Sequence, residues 1–86
     1  MRVARTESFK RAYRKLSREN RDRASKDIRQ LVEDPRHPGL RVRRIEGTRN
    51  VWEARVSRSW RLTFKAQGDT YLLRNIGEHN KVLKKP

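Results

Sequence analysis

Alternation of apolar and polar side chains is clearest from Val51 onward. Trp52, Ala54 and Val56 fall on one side of the backbone and Val51, Glu53 and Arg55 on the other, the period of two that marks a strand with one buried face. After Ser57-Arg58-Ser59 the period resumes, with Trp60, Leu62 and Phe64 opposed to Arg61, Thr63 and Lys65. Gln67-Gly68-Asp69-Thr70 forms a hairpin connection, and the mostly apolar Tyr71–Ile76 is a third strand, expected at the centre of the sheet. Strands joined by such short turns pair antiparallel, which puts Glu53, Arg55, Arg61 and Thr63 on one surface.

The N-terminal part of the chain follows a different period. Phe9, Ala12, Tyr13 and Leu16 recur at i, i+3, i+4 and i+7, the stripe of a one-sided helix, with Thr6 or Ser8 as its cap and Glu7 at the positive end of its dipole. Ser17–Asn20 breaks this helix. A second runs from about Arg21 to Glu33 with Ala24, Ile28, Leu31 and Val32 facing inward, and Asp34-Pro35 stops it because the residue before proline is pushed out of the helical region. Pro35–Gly39 is a loop in which His37 is expected to be exposed and without a role. Leu40–Ile45 alternates like a further strand, Met1–Arg5 is a candidate edge strand, and Lys84-Lys85-Pro86 is expected to fray. The whole pattern predicts one α+β domain over residues 1–86, a helical hairpin packed on a small, mainly antiparallel sheet of three to four strands.

Charge changes the picture most. The 86 residues carry 24 Lys and Arg against 10 Asp and Glu, a net charge of +14 that points to a polyanionic partner, nucleic acid first. The excess is uneven: residues 1–34 carry net +5 and residues 35–86 net +9, so the strand half is the more electropositive. A solubilising surface, or a site for an acidic protein, is the plainer alternative. Cysteine is absent, so neither disulfides nor a thiolate zinc site support the fold, in keeping with a reducing compartment. No apolar run approaches the roughly 20 residues of a membrane span, and Met1–Lys10 is not a signal peptide, so a cytoplasmic location is expected. Neither a Gly-rich phosphate loop, a paired-carboxylate metal site nor a nucleophile elbow occurs, and no metal or cofactor is expected.

Leu40-Arg41-Val42, Ile45-x-Gly47, Val51-Trp52-Glu53-Ala54-Arg55-Val56, Trp60-Arg61-Leu62-Thr63-Phe64 and Ile76-Gly77-Glu78-His79 together resemble the RelE/ParE toxin superfamily. The resemblance spans nearly the whole chain, and its most specific parts are the aromatic-Arg-Leu-x-aromatic strand and the Gly-x-His that follows. It implies a compact α/β toxin of a bacterial toxin-antitoxin pair, with an acidic antitoxin as partner. In the RelE-like branch the implied activity is cleavage of messenger RNA in the ribosomal A site, and in the ParE-like branch it is poisoning of DNA gyrase. A basic nucleic-acid-binding relative without activity is a third reading.

Metal-free RNA cleavage needs a base, an acid for the leaving 5′-oxygen, and cations for the phosphorane oxygens. Arg61 matches the family's strand arginine and is expected to bind the scissile phosphate, and Arg55 to hold a second phosphate oxygen. His79 occupies the position where several branches place a catalytic histidine. Imidazole, with an ordinary pKa of roughly 6.5, exchanges protons near neutrality, and the expected role is general acid. Glu53 and Glu46 are the candidate bases, and either is alternatively a structural partner for arginine. Arg43, Arg58, Lys65, Asn80 and Lys81 are expected RNA contacts. Glu53 departs from the basic residue of the ribosome-dependent branch, and Leu83 stands where that branch carries a base-stacking aromatic; Trp52 and Trp60 fall on apolar rows and are expected in the core.

Overall fold

A computed structural model describes residues 2–86 of the chain. In order, the elements are strand β1 (Arg2–Arg5), helices α1 (Glu7–Arg14) and α2 (Arg18–Glu33), a 3-10 turn (Pro38–Leu40), strands β2 (Arg43–Arg44), β3 (Val51–Arg55), β4 (Trp60–Gln67) and β5 (Thr70–Glu78), and helix α3 (His79–Lys84). The strands make one mixed sheet of order β1-β5-β4-β3-β2, with β1 parallel to β5 and all other pairs antiparallel. The α+β class and the helical hairpin stand as expected. The sheet has five strands rather than three or four, because the N-terminal segment adds an edge; Met1, part of that expected strand, lies outside the described residues. β4 rather than the third of the Val51–His79 strands is central, and β5 lies between it and β1.

Capping fixes both long helices. Thr6 Oγ1 accepts from the Phe9 amide at 3.0 Å and Ser17 Oγ from the Asn20 amide at 3.2 Å, each satisfying a donor that the first helical turn leaves free. The Ser17 cap is why α2 starts at Arg18 instead of Arg21. Thr6 also ties α1 to the sheet, its amide donating to the Leu73 carbonyl and its hydroxyl to that of Arg74. Phe9, Leu16, Ala24 and Leu31 from the helices meet Leu62, Phe64, Tyr71, Leu73 and Ile76 in a single core, with Trp52 and Trp60 packed at its border.

Two expectations about strand and tail are corrected. Leu40–Ile45 is not a strand along its length: Leu40 is buried as the last residue of the 3-10 turn, whose amide at Gly39 donates to His37 Nδ1, and only Arg43 and Arg44 pair with β3. The alternation of Leu40 and Val42 arises because both pack on the core from a turn. Nor does the C-terminus fray. α3 lies on β4 and β5, Val82 is buried, and the carbonyls of Lys85 and Pro86 accept from Asn75 Nδ2 and Arg74 Nε at 3.1 Å. Arg74 is the extra residue of a bulge opposite Thr63 and Phe64, which frees it from the ladder.

Leu73 is completely buried at the junction of β5 with α1, and Leu73→Ala is expected to lower stability by about 2–5 kcal/mol through lost transfer energy and a cavity. Urea unfolding reads this directly. Asp27 on α2 offers a pH test, since burial raises its carboxyl above the ordinary value despite the opposing charges of Arg23, Lys26 and His37. The folded form then holds this proton to higher pH than the unfolded chain, so the associated stability is present in acid and lost as pH rises through the raised folded value. Asp27→Asn should raise the Tm at pH 7 and leave it unchanged at about pH 3, where carboxylates are protonated in both states.

Candidate functional site

The polar face of the sheet divides into two rows, one strand step apart in character. In the first, Arg43 pairs with Glu53, Glu53 with Thr63 and Thr63 with Asn75. The C-terminal segment lies over the Thr63–Asn75 end of this row. Thr63 is wholly buried with its hydroxyl near the Pro86 carbonyl at 3.4 Å, and Arg43 Nε donates to Glu53 Oε1 at 2.7 Å. Glu53, expected as a base, is therefore the buried half of an ion pair whose arginine is 70% exposed and whose carboxylate is 5% exposed. Arg43, expected to touch RNA, spends its Nε on the same pair.

The second row is cationic and open. Arg55 stands opposite Arg61, and Arg61 opposite Gly77, the residue that leads into His79. Between β3 and β4 the chain turns through Ser57–Ser59, and Arg61 folds back onto that turn: its Nη1 donates to the carbonyls of Ser57, Arg58 and Trp60 at 3.0, 3.3 and 2.9 Å. A guanidinium has five N–H donors in a fixed fork. Anchoring through Nη1 leaves Nε and Nη2 for another acceptor. The His79 amide donates to the Ser59 carbonyl at 2.7 Å, so the first residue of α3 is fastened to the same turn that anchors Arg61. The half-buried His79 side chain thus starts from backbone beside the arginine row.

Desolvation lowers the pKa of the Arg55 guanidinium, and the like charges of Arg41, Arg61 and Arg58 lower it further. Among the described residues none of these four arginines forms an ion pair. Glu78, beside His79, caps α3 by accepting from the amides of Asn80 and Lys81 at 3.2 and 3.3 Å. An uncompensated cluster of this kind is a ready receptor for phosphate oxygens, which planar guanidinium groups bind in bidentate fashion.

The other expected contacts scatter. Arg58 lies exposed in the turn beside Arg61, and Asn80 and Lys81 are exposed in the first turn of α3. Lys65 is four residues along β4 from Arg61, roughly 13 Å away at strand rise, and Glu46 lies in the loop at that same far end of the sheet, ahead of Val51. Arg41 stands in the Leu40-Arg41-Val42 motif but carried no expected role, although its charge acts on Arg55. Its position depends on the 3-10 turn, for which the sequence offers only Pro38-Gly39.

A family model described as the ParE-like toxin domain matches residues 18–81. The chain belongs to this family. It is a member of the RelE/ParE toxin superfamily, as the strand and Gly-x-His motifs imply. Among solved structures it is similar to YafQ from E. coli strain BL21(DE3), with 11% identity over 95% of this chain and 98% of that one and a TM-score of 0.80. The YoeB/ParE toxin from Agrobacterium tumefaciens is 15% identical over 92% and 99% of the two chains, with a TM-score of 0.76. A chain of the intact E. coli RelBE toxin-antitoxin complex is 17% identical over 91% and 95%, with a TM-score of 0.73. At these identities the likeness is one of fold. No curated protein matches the chain in sequence.

The Arg43–Glu53 pair yields an asymmetric prediction. Arg43→Ala strands a buried carboxylate and is expected to cost about 2–3 kcal/mol, whereas Glu53→Gln leaves only an exposed arginine unpaired and should cost less than about 1 kcal/mol. Comparison of the two variants by urea unfolding checks the order.

Proposed function

We propose that this protein is the toxin half of a toxin-antitoxin pair and acts as a ribosome-dependent endoribonuclease that cuts messenger RNA in the A site. The observation that carries this reading is the meeting of Arg55, Arg61 and the start of α3 at His79 on one turn, without an acid to neutralise the arginines. Arg61 and Arg55 bind the scissile phosphate and stabilise the charge that builds on its oxygens. The ribose 2′-hydroxyl loses its proton to solvent water as its oxygen attacks phosphorus and closes a 2′,3′-cyclic phosphate, while the P–O5′ bond breaks and His79 gives its proton to the departing 5′-oxygen. With Glu53 buried against Arg43 and Glu46 at the far end of the sheet, the residues proposed to carry the rate are the cations and the acid. Arg58, Asn80 and Lys81 extend the contact along the RNA.

The partner follows from charge. A toxin of net +14 calls for an acidic antitoxin, and solved structures of similar fold include the RelBE and DinJ-YafQ toxin-antitoxin complexes from E. coli. Such an antitoxin is expected to be partly disordered when free and to fold on the toxin. The fold operates in the cytoplasm in this reading; among the described residues no helix is long and apolar enough to cross a membrane.

A second reading, poisoning of DNA gyrase, draws on the ParE-like family model itself. The two separate cleanly in translating extracts. Arg61→Ala is expected to slow cleavage about 10²–10³-fold and His79→Ala about 10²–10⁴-fold, in proteins that unfold at the wild-type temperature. Mapping new 5′ ends on ribosome-bound messenger RNA measures both. Cleavage unchanged in the double variant would remove the assignment, and trapped gyrase–DNA complexes beside intact messenger RNA would establish the alternative.

A further inference from the structure

We propose that the cleft between α1 and the start of α3 is a nucleotide subsite, in which Trp60 stacks on one base of an RNA strand and Arg11, Lys15 and Lys81 hold the adjoining phosphate. The inference rests on the reading above that the Arg61 and His79 end of the sheet binds RNA, and it supplies the stacking ring that Leu83 does not.

Three observations carry it. The first is position. Trp60 opens β4 and pairs with Glu78, the last residue of β5, so the two form the end rung of the ladder. Beyond that rung lie the Ser57–Ser59 turn and His79, whose amide donates to the Ser59 carbonyl. Consecutive strand residues face opposite ways, so Trp60 looks toward the helices and Arg61 toward the polar face. Only the end of the sheet separates them, and a strand that passes from Arg61 over the turn arrives at Trp60. The backbone joins the two as well, because the Trp60 carbonyl accepts from Arg61 Nη1 at 2.9 Å and from the Val56 amide at 3.1 Å.

The second is what Trp60 leaves free. Expected in the core, it packs at the border and stays half-buried. The other tryptophan uses its N–H within the protein, Trp52 Nε1 donating to Asn50 Oδ1 at 3.0 Å. Trp60 Nε1 has no partner among the described residues, and no buried side-chain nitrogen there lacks one, so this N–H is open to solvent. An indole with both surface and donor open suits an unpaired base, which offers a π-face and carbonyl acceptors.

The third is the lining of the cleft. Trp60 shares a space of about 420 Å³ with Ile76, Arg11, Lys15, Lys81 and Glu78, within the roughly 300–1,000 Å³ of ordinary ligand sites. Arg11 and Lys15 stand one helical turn apart along α1. Neither lysine forms an ion pair or side-chain hydrogen bond among the described residues, and Arg11 donates to Ser8 Oγ at 3.4 Å. The one carboxylate, Glu78, is occupied by the amides of Asn80 and Lys81. An aromatic surface with cations around it matches a single-stranded nucleotide, which brings a base and a phosphate in one unit.

A short single-stranded 2′-O-methyl RNA lacks the attacking hydroxyl and so probes binding without cleavage, and inorganic tripolyphosphate is an anion without bases. In Trp52→Phe the full chain keeps Trp60 as its one tryptophan, and a stacked base quenches indole emission. The oligonucleotide is expected to quench Trp60, and tripolyphosphate to bind with emission little changed. Trp60→Leu, which keeps an apolar side chain at the core border, should weaken oligonucleotide binding about 5- to 150-fold and leave tripolyphosphate binding as it was. Trp60→Phe should recover most of the loss. Lys15→Gln combined with Lys81→Gln, both at exposed positions, should reduce the salt slope of oligonucleotide binding by roughly 1. Oligonucleotide bound with Trp60 unquenched would overturn the stacking and leave phosphate binding by the arginines standing. Equal weakening of both probes in Trp60→Leu would make the ring structural and overturn it too. Quenching by an acidic peptide that carries phenylalanine, and not by the oligonucleotide, would assign the cleft to a protein partner instead. A wild type that does not bind the oligonucleotide would overturn RNA binding at this end of the sheet, and the subsite with it. Ribosome-dependent cleavage, scored separately, decides the nuclease reading whether or not Trp60 stacks.

Discussion

The contact between Val82 and Gly77 governs how the polar face of the sheet is divided. A side chain added at Gly77 would place its Cβ 3.3 Å from Val82 Cγ2, so the absence of one lets α3 settle against the strand. From that seat the tail runs on to place the Lys85 and Pro86 carbonyls over Asn75, Arg74 and Thr63. Two members of a polar row that faces water in an ordinary half-exposed sheet, Glu53 and Thr63, are buried here, and each has to find a partner. Glu53 finds Arg43, Thr63 finds backbone carbonyls, and no buried side-chain polar atom among the described residues is left without a hydrogen bond. The Gly-x-His motif thus has a packing half and a chemical half: Gly77 admits the helix that His79 begins.

The adjoining row pays for nothing in this way. Arg55, Arg58 and Arg61 gather at one end of the sheet without an ion pair among them, the charge of Arg41 also acts on Arg55, and the Arg61 fork is held by three carbonyls of a turn instead of by an acid. Self-repulsion and the left-handed backbone of Arg41, at φ 46°, both work against folding. The reserve that tolerates them lies across the sheet, where α1, α2 and the apolar rows of β3, β4 and β5 form the core. Stability is invested on one face and spent on the other, a common division where a site must meet a highly charged ligand.

Much of this was legible before any coordinates. The period of two from Val51 to Lys65 identified which side chains face the core and which share the polar surface, and the pairs Glu53–Thr63 and Arg55–Arg61 follow from it once a tight turn joins the strands. The 3.6-residue stripe through Phe9, Ala12, Tyr13 and Leu16 identified the first helix face. Leu40 and Val42 misled for a physical reason: a turn that plugs a core shows the same alternation over three residues as a strand. Glu53 misled for another. On a strand it lies in a charged row, and nothing in its own neighbourhood reveals that it will be buried against Arg43.

Sequence alone, then, determined what local periodicity and charge can encode: the α+β class, the inner faces of the elements, the cationic strand half and the residues Arg55, Arg61 and His79 that the family motif marks. Tertiary structure decided what depends on groups distant along the chain. It set β1 beside β5, laid α3 across the sheet and made Glu53 a partner of Arg43 instead of a free carboxylate. The reason is the same in each case. Burial and electrostatic environment are sums over neighbours in space, and periodicity reports only the neighbours along the chain.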